Sequence, residues 1–225
     1  MILTPKPPED AKKKLLDFKE KYIHLYPDYL QEEIEEKLLL GFTNNNDTIN
    51  QIYSYLNVVD DNINLYKEFI RILEKHFDLN CNILEVGAGT IPILAKYIND
   101  NHKCNLTLIE PNIIFEDLLE CNIIKEKFTN KTDISKYDLI IGYNPCQATE
   151  NMIRNSIEQN KNFCIALCGC CFLPENYTDR TPKTWHKYLI QLASQLSQNN
   201  YEITLLYFEQ KYHIEHPIII GKRKN

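Results

Sequence analysis

Hydrophobic positions along this chain follow two different periods. Up to residue 78 they recur at helical spacing: Leu15, Phe18 and Tyr22, then Leu30, Ile34 and Leu38, then Ile63, Tyr66, Ile70, Leu73 and Phe77. Such spacings line one face of a helix with 3.6 residues per turn. Pro7-Pro8 ahead of Glu9-Asp10 suits a helix start, since proline is preset for the first turn and acids favour its positive end. Gly41 followed by Asn44-Asn45-Asn46-Asp47 marks a break between helical segments. Residues 1–78 therefore read as a helical N-terminal extension.

From residue 79 the pattern changes. Apolar runs at 81–86, 104–110, 137–143 and 162–172 alternate with helical stretches at 91–99, 113–120, 148–158 and 182–198. Apolar runs separated by helices argue parallel strands covered on both faces. The end of the chain departs from this alternation. Tyr201–Phe208 and Tyr212–Ile220 are strand-like and separated only by Glu209-Gln210-Lys211. A gap that short allows a hairpin and forbids a helical crossover. The expected fold is α/β, with a mostly parallel sheet that finishes in an antiparallel hairpin.

Composition narrows the function classes. With 225 residues, 44% hydrophobic and 25% charged, the chain can bury a sizeable core. No stretch approaches the ~18 consecutive apolar residues of a membrane span, and Met1-Ile2-Leu3-Thr4-Pro5-Lys6 has no secretory core. A net charge of −6 offers no broad basic face, which argues against an extended nucleic acid as partner, although residues 161–225 carry 8 basic and 5 acidic groups. Of the eight cysteines, Cys164, Cys168, Cys170 and Cys171 crowd one apolar run. Disulfide frameworks belong to short secreted domains, so reduced thiols and a cytoplasmic protein are expected. Cys168 and Cys171 have zinc-type C-x-x-C spacing, but a site needs a second pair and only Cys146 is near in sequence. The cysteines are read as core or pocket-lining thiols, with no metal.

The most informative stretch is Asn82-Ile83-Leu84-Glu85-Val86-Gly87-Ala88-Gly89-Thr90-Ile91-Pro92. A strand enters a turn holding two of the chain's six glycines, and a helix opens behind it near Pro92. Glycine there admits backbone conformations closed to other residues and lets a ligand approach. A dinucleotide fingerprint wants Gly-x-Gly-x-x-Gly, and Pro92 holds the third position. That disfavours a nicotinamide oxidoreductase, and no Gly-Lys-Ser/Thr ending is present for a phosphate loop. Glu85 would repel a pyrophosphate and attract an ammonium.

These residues resemble the class I S-adenosylmethionine-dependent methyltransferases, a Rossmann-like superfamily. Its first motif, acid-x-Gly-x-Gly, is matched by Glu85-Val86-Gly87-Ala88-Gly89; a further glycine common in the family is replaced by Ile91. The acid ending its second strand, which holds the ribose hydroxyls, is matched by Glu110, followed by Pro111. The acid leading its fourth strand is matched by Asp138, in a run that ends Gly142-Tyr143-Asn144-Pro145. The 25 residues from Glu85 to Glu110 suit one βαβ unit. The resemblance covers residues 79–225 and implies a seven-stranded sheet and S-adenosylmethionine as cofactor. It implies cofactor contacts at Glu85, Gly87, Ala88, Gly89, Glu110, Pro111 and Gly142.

The acceptor side is expected at the end of the fourth strand. Asn144-Pro145 half-matches the Asn-Pro-Pro-aromatic motif of amino- and amide-methylating members, because Cys146-Gln147 follows. Asn144 is the candidate catalytic residue, with Tyr143, Asn144 and Glu150 as substrate contacts. Glu150 and Arg154 also have the spacing of a solvated i, i+4 ion pair. A weaker similarity links Cys146 and Cys170-Cys171 to RNA-directed methyltransferases with a cysteine after the fourth strand and a paired one after the fifth. In the family, helical extensions often cover the cofactor cleft, a task for which Tyr22, Tyr26, Tyr29, Tyr53 and Tyr55 give aromatic surface. The expected activity is methyl transfer to an acceptor of open class: a small molecule, a protein side chain or RNA. A non-catalytic S-adenosylmethionine- or nucleoside-binding regulatory module of the same fold is the alternative.

Overall fold

The computed structural model describes residues 65–89, 92–113, 121–175, 177–198, 200–209 and 216–224. The earlier helical stripes, the five tyrosines of the extension and the helix expected over 113–120 (from residue 114 on) lie outside the described residues. Residues Leu65–Asn225 form one compact unit. Its elements are α1 (65–76, from the first described residue), β1 (Asn82–Val86), α2 (Ile93–Asn101), β2 (Asn105–Ile109), β3 (Asn122–Ile124) and β4 (Leu139–Tyr143). A 3-10 turn at Cys146–Ala148 then leads into α3 (Thr149–Glu158), β5 (Asn162–Ala166), α4 (Pro182–Ser197), β6 (Tyr201–Tyr207) and β7 (Pro217–Arg223).

The seven strands form one sheet in the order β3-β2-β1-β4-β5-β7-β6. Strands β1 to β5 run parallel, and β7 pairs antiparallel with both β5 and β6. This is the expected α/β sheet with its terminal hairpin. Every residue of β4 is buried, as are all but the first of β1, β2 and β5, as strands covered on both faces should be. The hairpin's second strand starts at Pro217 and runs on to Arg223, beyond the expected Ile220. Strand β3 had no counterpart in the hydrophobic pattern. It is three residues long, sits at the sheet edge and buries no residue fully, so it leaves no apolar run to read.

Local chemistry fixes the helices on this sheet. Thr181 caps α4 by accepting the Thr184 N–H at 3.3 Å, and Pro182 opens the first turn. Trp185, Leu189, Leu192 and Ala193 then form its buried stripe, packed into the core with Ile165, Phe163 and Tyr201. The Tyr201 hydroxyl donates toward the carbonyls of Ser156 (2.9 Å) and Lys161 (3.1 Å), tying β6 to the end of α3. Asp138 Oδ2 accepts from the Asn82 main-chain N–H and from Asn82 Nδ2, both at 3.0 Å. The acid that leads β4 thus locks β4 to β1 at the sheet's amino edge, opposite the strand ends that carry the glycine turn.

Gly221 shows how closely the hairpin is fitted. It pairs with Phe163, and a Cβ added there would stand 2.1 Å from Phe163 Cε1, on a ring that is wholly buried. Overfilling such a site costs typically about 1–3 kcal/mol. Gly221→Ala is expected to lower the unfolding free energy by that amount, read as a lower urea midpoint at unchanged slope, and adding Phe163→Leu should recover part of the loss. A Gly221→Ala midpoint equal to wild type would contradict the packing of β7 against β5.

Candidate functional site

In this sheet the strand order reverses between β1 and β4, and open α/β sheets bind ligands in the crevice beyond the carboxyl ends at such a point. The residues that follow β1, β2, β4 and β5 are therefore the ones that matter. The turn after β1 needs its glycines. Gly87 and Gly89 both have φ +75°, a left-handed conformation that costs other residues free energy. Gly87 N–H donates to the Ile109 carbonyl at 3.0 Å, extending the pairing with β2. The two glycines differ in their surroundings. A Cβ on Gly87 would meet Pro145 Cα at 3.0 Å, whereas one on Gly89 would meet nothing within 4 Å among the described residues. Gly87 is thus fixed by packing against the β4 turn, and Gly89 faces open space. Ala88 between them is half-buried.

Two carboxyl groups stand around this turn. Glu85, at 2% exposure, has an Oε2 with no hydrogen-bond partner among the described residues. Burial pushes its carboxyl up to about 8, and the neighbouring Glu110 charge adds to the rise. Glu110, at the end of β2, is engaged at both oxygens. Oε2 accepts the Gly89 N–H at 3.2 Å and Oε1 accepts the Asn112 N–H at 2.8 Å. Its own N–H donates to the Ile124 carbonyl at 3.1 Å. Glu110 therefore ties the β1 turn to the β2 loop. Each carboxylate oxygen carries two lone pairs, so acceptor capacity remains on the solvent side. Pro111 beside it is exposed.

The end of β4 is strained. Asn144 has φ +54° and Cys146 φ +49°, with Pro145 between them. Asparagine tolerates this region; cysteine does so rarely, and such strain gathers at functional turns. Asn144 is exposed, and its N–H donates to the Ala166 carbonyl of β5 at 2.9 Å. Tyr143 packs edge-on against Tyr66 (4.7 Å between centroids), Phe69 (5.7 Å) and Phe208 (6.1 Å), and burial raises its hydroxyl above the usual phenol range. At Gly142 the missing side chain makes room for Met152, whose Cε lies 2.8 Å from where a Cβ would be. Gly142 thereby seats α3 on the sheet. Glu150 forms the i, i+4 pair with Arg154 at 2.8 Å, and its Oε1 also accepts from the Tyr188 hydroxyl at 2.9 Å. That third partner, which links α3 to α4, was invisible in the spacing.

After β5 the thiols of Cys168 and Cys170 come to meet Cys146, all three sulfur positions lying within 4.8 Å of one another. A hydrogen bond from the Cys146 thiol, helped by the main-chain N–H of Cys170, lowers the Cys168 thiol to about 6, while Cys146 is raised by the same contact. His186 Nε2 bonds the Cys168 carbonyl at 2.8 Å and holds this segment in place. Cys171, the partner expected from C-x-x-C spacing, is not among the converging residues and packs against the hydrophobic core.

No family model matches the sequence, and no curated protein matches it significantly. Solved structures do match. The Burkholderia thailandensis 1,6-didemethyltoxoflavin-N1-methyltransferase, solved with 1,6-didemethyltoxoflavin and S-adenosylhomocysteine, aligns over 100% of this chain and 93% of its own at 12% identity and a TM-score of 0.51. A Pyrococcus furiosus methyltransferase aligns over 71% of this chain and 83% of its own at 14% identity and a TM-score of 0.45. A methyltransferase from Aquifex aeolicus dependent on S-adenosylmethionine aligns over 68% and 88% at 11% identity and a TM-score of 0.47. The fold is that of the class I S-adenosylmethionine-dependent methyltransferases.

Glu85 gives the site a pH signature. Its folded value of about 8 lies above the ordinary 4.5, so the folded state keeps a proton that the unfolded chain gives up. The resulting stability is complete below about pH 4.5 and is lost as pH rises through about 8. Glu85→Gln removes this titration. The variant is expected to be more stable than wild type near pH 8 and to lose less stability between pH 5 and 8, read from urea midpoints across that range. Parallel stability curves for the two proteins would show that Glu85 is not the buried acid described here.

Proposed function

We propose that this protein is an S-adenosylmethionine-dependent methyltransferase, with the cofactor across the ends of β1 and β2 and the methyl acceptor at the end of β4. The observation that carries the reading is the buried, unpartnered Glu85 oxygen beneath a turn whose Gly89 opens onto free space. A buried carboxyl in want of a cation suits the amino group of S-adenosylmethionine better than any pyrophosphate. Glu110, already fixed by two main-chain amides, suits the ribose hydroxyls with its remaining lone pairs. Gly87, Ala88 and Gly89 supply a backbone wall free of large side chains. Pro111 lies at the rim, and Gly142 acts through the packing of β4.

When bound, S-adenosylmethionine supplies a methyl group already activated by its sulfonium, so the protein's task is to align the acceptor and exclude water. We assign this role to Asn144. Its backbone is anchored to β5 while its side chain is exposed at the crevice edge, where an amide can hold an acceptor nitrogen or oxygen. Tyr143 supports that turn from below and stays protonated, so it orients rather than serves as a base. Glu150 is assigned to the acceptor side in second place, because Arg154 and Tyr188 already engage it. The acceptor is a small molecule, or a nitrogen or oxygen of a larger substrate.

The methyltransferase domain is assigned to residues 79–225 and the helical extension to residues 1–78. The described part of residues 1–78 holds α1, which belongs to the same compact unit as the sheet and sets Tyr66 and Phe69 against Tyr143. A cytoplasmic location rests on the free cysteines, and no helix among the described residues is long and apolar enough to cross a membrane.

The test uses proton linkage. Binding an ammonium beside Glu85 ionises it, so one proton should leave to the buffer below its value of about 8. Affinity for S-adenosylmethionine should then rise by up to ~tenfold per pH unit from pH 6 toward 8. Calorimetry in buffers of different ionisation enthalpy should count the proton, and Glu85→Gln should abolish it. Glu110→Ala should weaken binding by about 10- to 1,000-fold, from ~1.5–3 kcal/mol per charged hydrogen bond, with Glu110→Gln between it and wild type. Absence of binding by wild type overturns the reading. Binding without release of S-adenosylhomocysteine on any cell extract would make the protein a regulatory module.

A further inference from the structure

The thiols at the ends of β4 and β5 have no part in cofactor binding as argued above, and their convergence is independent of it. We propose that Cys146, Cys168 and Cys170 form a tri-thiolate site for a zinc-class metal ion on the acceptor side of the crevice. Three observations carry this. The sulfur positions already lie within 4.8 Å of one another. Tetrahedral zinc has Zn–S bonds of about 2.3 Å, which sets sulfurs about 3.8 Å apart, so side-chain rotations of under an ångström complete the site. The three residues lie in the segments that follow two adjacent parallel strands, whose last residues Tyr143 and Ala166 pair, so the sheet sets where the two segments start.

The backbone is also shaped to aim them. Cys146 is held at φ +49°, a conformation a cysteine would leave if only packing required it to be buried. Gly169 separates the other two ligands, and its missing side chain leaves room for the His216 ring, whose Cε1 would lie 2.9 Å from a Cβ there. The pairing is thus C-x-C across Gly169 plus Cys146, which explains why C-x-x-C spacing failed to point to it. His186, bonded to the Cys168 main-chain carbonyl at 2.8 Å, fixes the backbone that carries two of the thiols. Thiolates are soft ligands and select zinc or copper(I) over magnesium or calcium.

Among the described residues, three ligand atoms converge and leave a fourth tetrahedral position for an outside ligand, the arrangement of reactive zinc sites. Cys168 is buried, Cys146 half-buried and Cys170 exposed, so the site opens to solvent on one side only. Binding is an exchange without redox change: the metal ion forms three metal–sulfur bonds and the thiol protons leave to solvent. A thiol taken up in the fourth position would bind as its thiolate, with its proton released to solvent.

The test uses cobalt(II) as a probe in the full chain under reducing conditions. Wild type should take up one equivalent with an intense thiolate-to-cobalt charge-transfer band and tetrahedral visible bands, and one equivalent of zinc should displace it. Cys170→Ser changes an exposed residue, so the variant folds, and it should weaken cobalt binding by ~100-fold or more, beyond what loss of an outer support costs. Cys171→Ser, near in sequence but outside the cluster, should bind as wild type does. Three outcomes each overturn the proposal: no charge-transfer band in wild type, an unchanged band in Cys170→Ser, or equal loss in Cys171→Ser. Conversion of wild type to a Cys146–Cys168 disulfide with no metal uptake after reduction would overturn it as well.

Discussion

A carboxyl group buried without a partner is among the most costly things a fold can contain, and the arrangement around Glu85 follows from that cost. The side chain lies at 2% exposure in β1, between strands buried on both faces, where an ionised carboxylate would lose most of its hydration. The fold tolerates it by leaving the proton on, which moves its ionisation toward neutrality. A group poised in this way binds a cation with little reorganisation, since ionising it near pH 7 needs only a modest free energy. The glycine turn follows it two residues later in the chain.

The remaining parts hold that turn in place. Glu110 links it to the β2 loop through the amides of Gly89 and Asn112, and Gly87 closes against Pro145 at the end of β4. Three strand ends are thereby coupled by one carboxylate and one tight contact. The strain at Asn144 and Cys146 is the counterpart of that contact. It turns the chain sharply at Pro145, presents the Asn144 side chain outward and swings Cys146 toward the β5 thiols. One turn therefore braces Gly87 on one side and carries Asn144 and Cys146 on the other. A substitution at Gly87 cannot be read as a pure ligand clash, because it also breaks the seat of Pro145.

Much of this was legible in the sequence, for definite reasons. The alternation of apolar runs and helical stretches is a direct print of parallel strands covered on both faces, and the three residues between the last two runs left only a hairpin. The acid-x-Gly-x-Gly turn and Glu110 were legible because each needs a particular residue type at a particular place. What escaped has equally physical causes. Strand β3 gains its pairing from β2 and carries too few apolar residues to mark itself. Asp138 was legible as the acid that leads β4, but not its use, which is to accept from Asn82 at the far edge of the sheet. The grouping of Cys146 with Cys168 and Cys170 depends on the register of β4 with β5, which no spacing within one segment encodes.

The central claim is that the crevice beyond β1 and β4 holds a cationic nucleoside ligand between Glu85 and Glu110. The most direct measurement is a crystal structure of the protein with S-adenosylhomocysteine, the stable demethylated form of the cofactor. The account predicts ligand density across the ends of β1 and β2, its amino group beside Glu85 and its ribose hydroxyls on the free side of the Glu110 carboxylate. Density elsewhere on the molecule, or an orientation that places the ribose away from Glu110 and leaves Glu85 unpartnered, would contradict it.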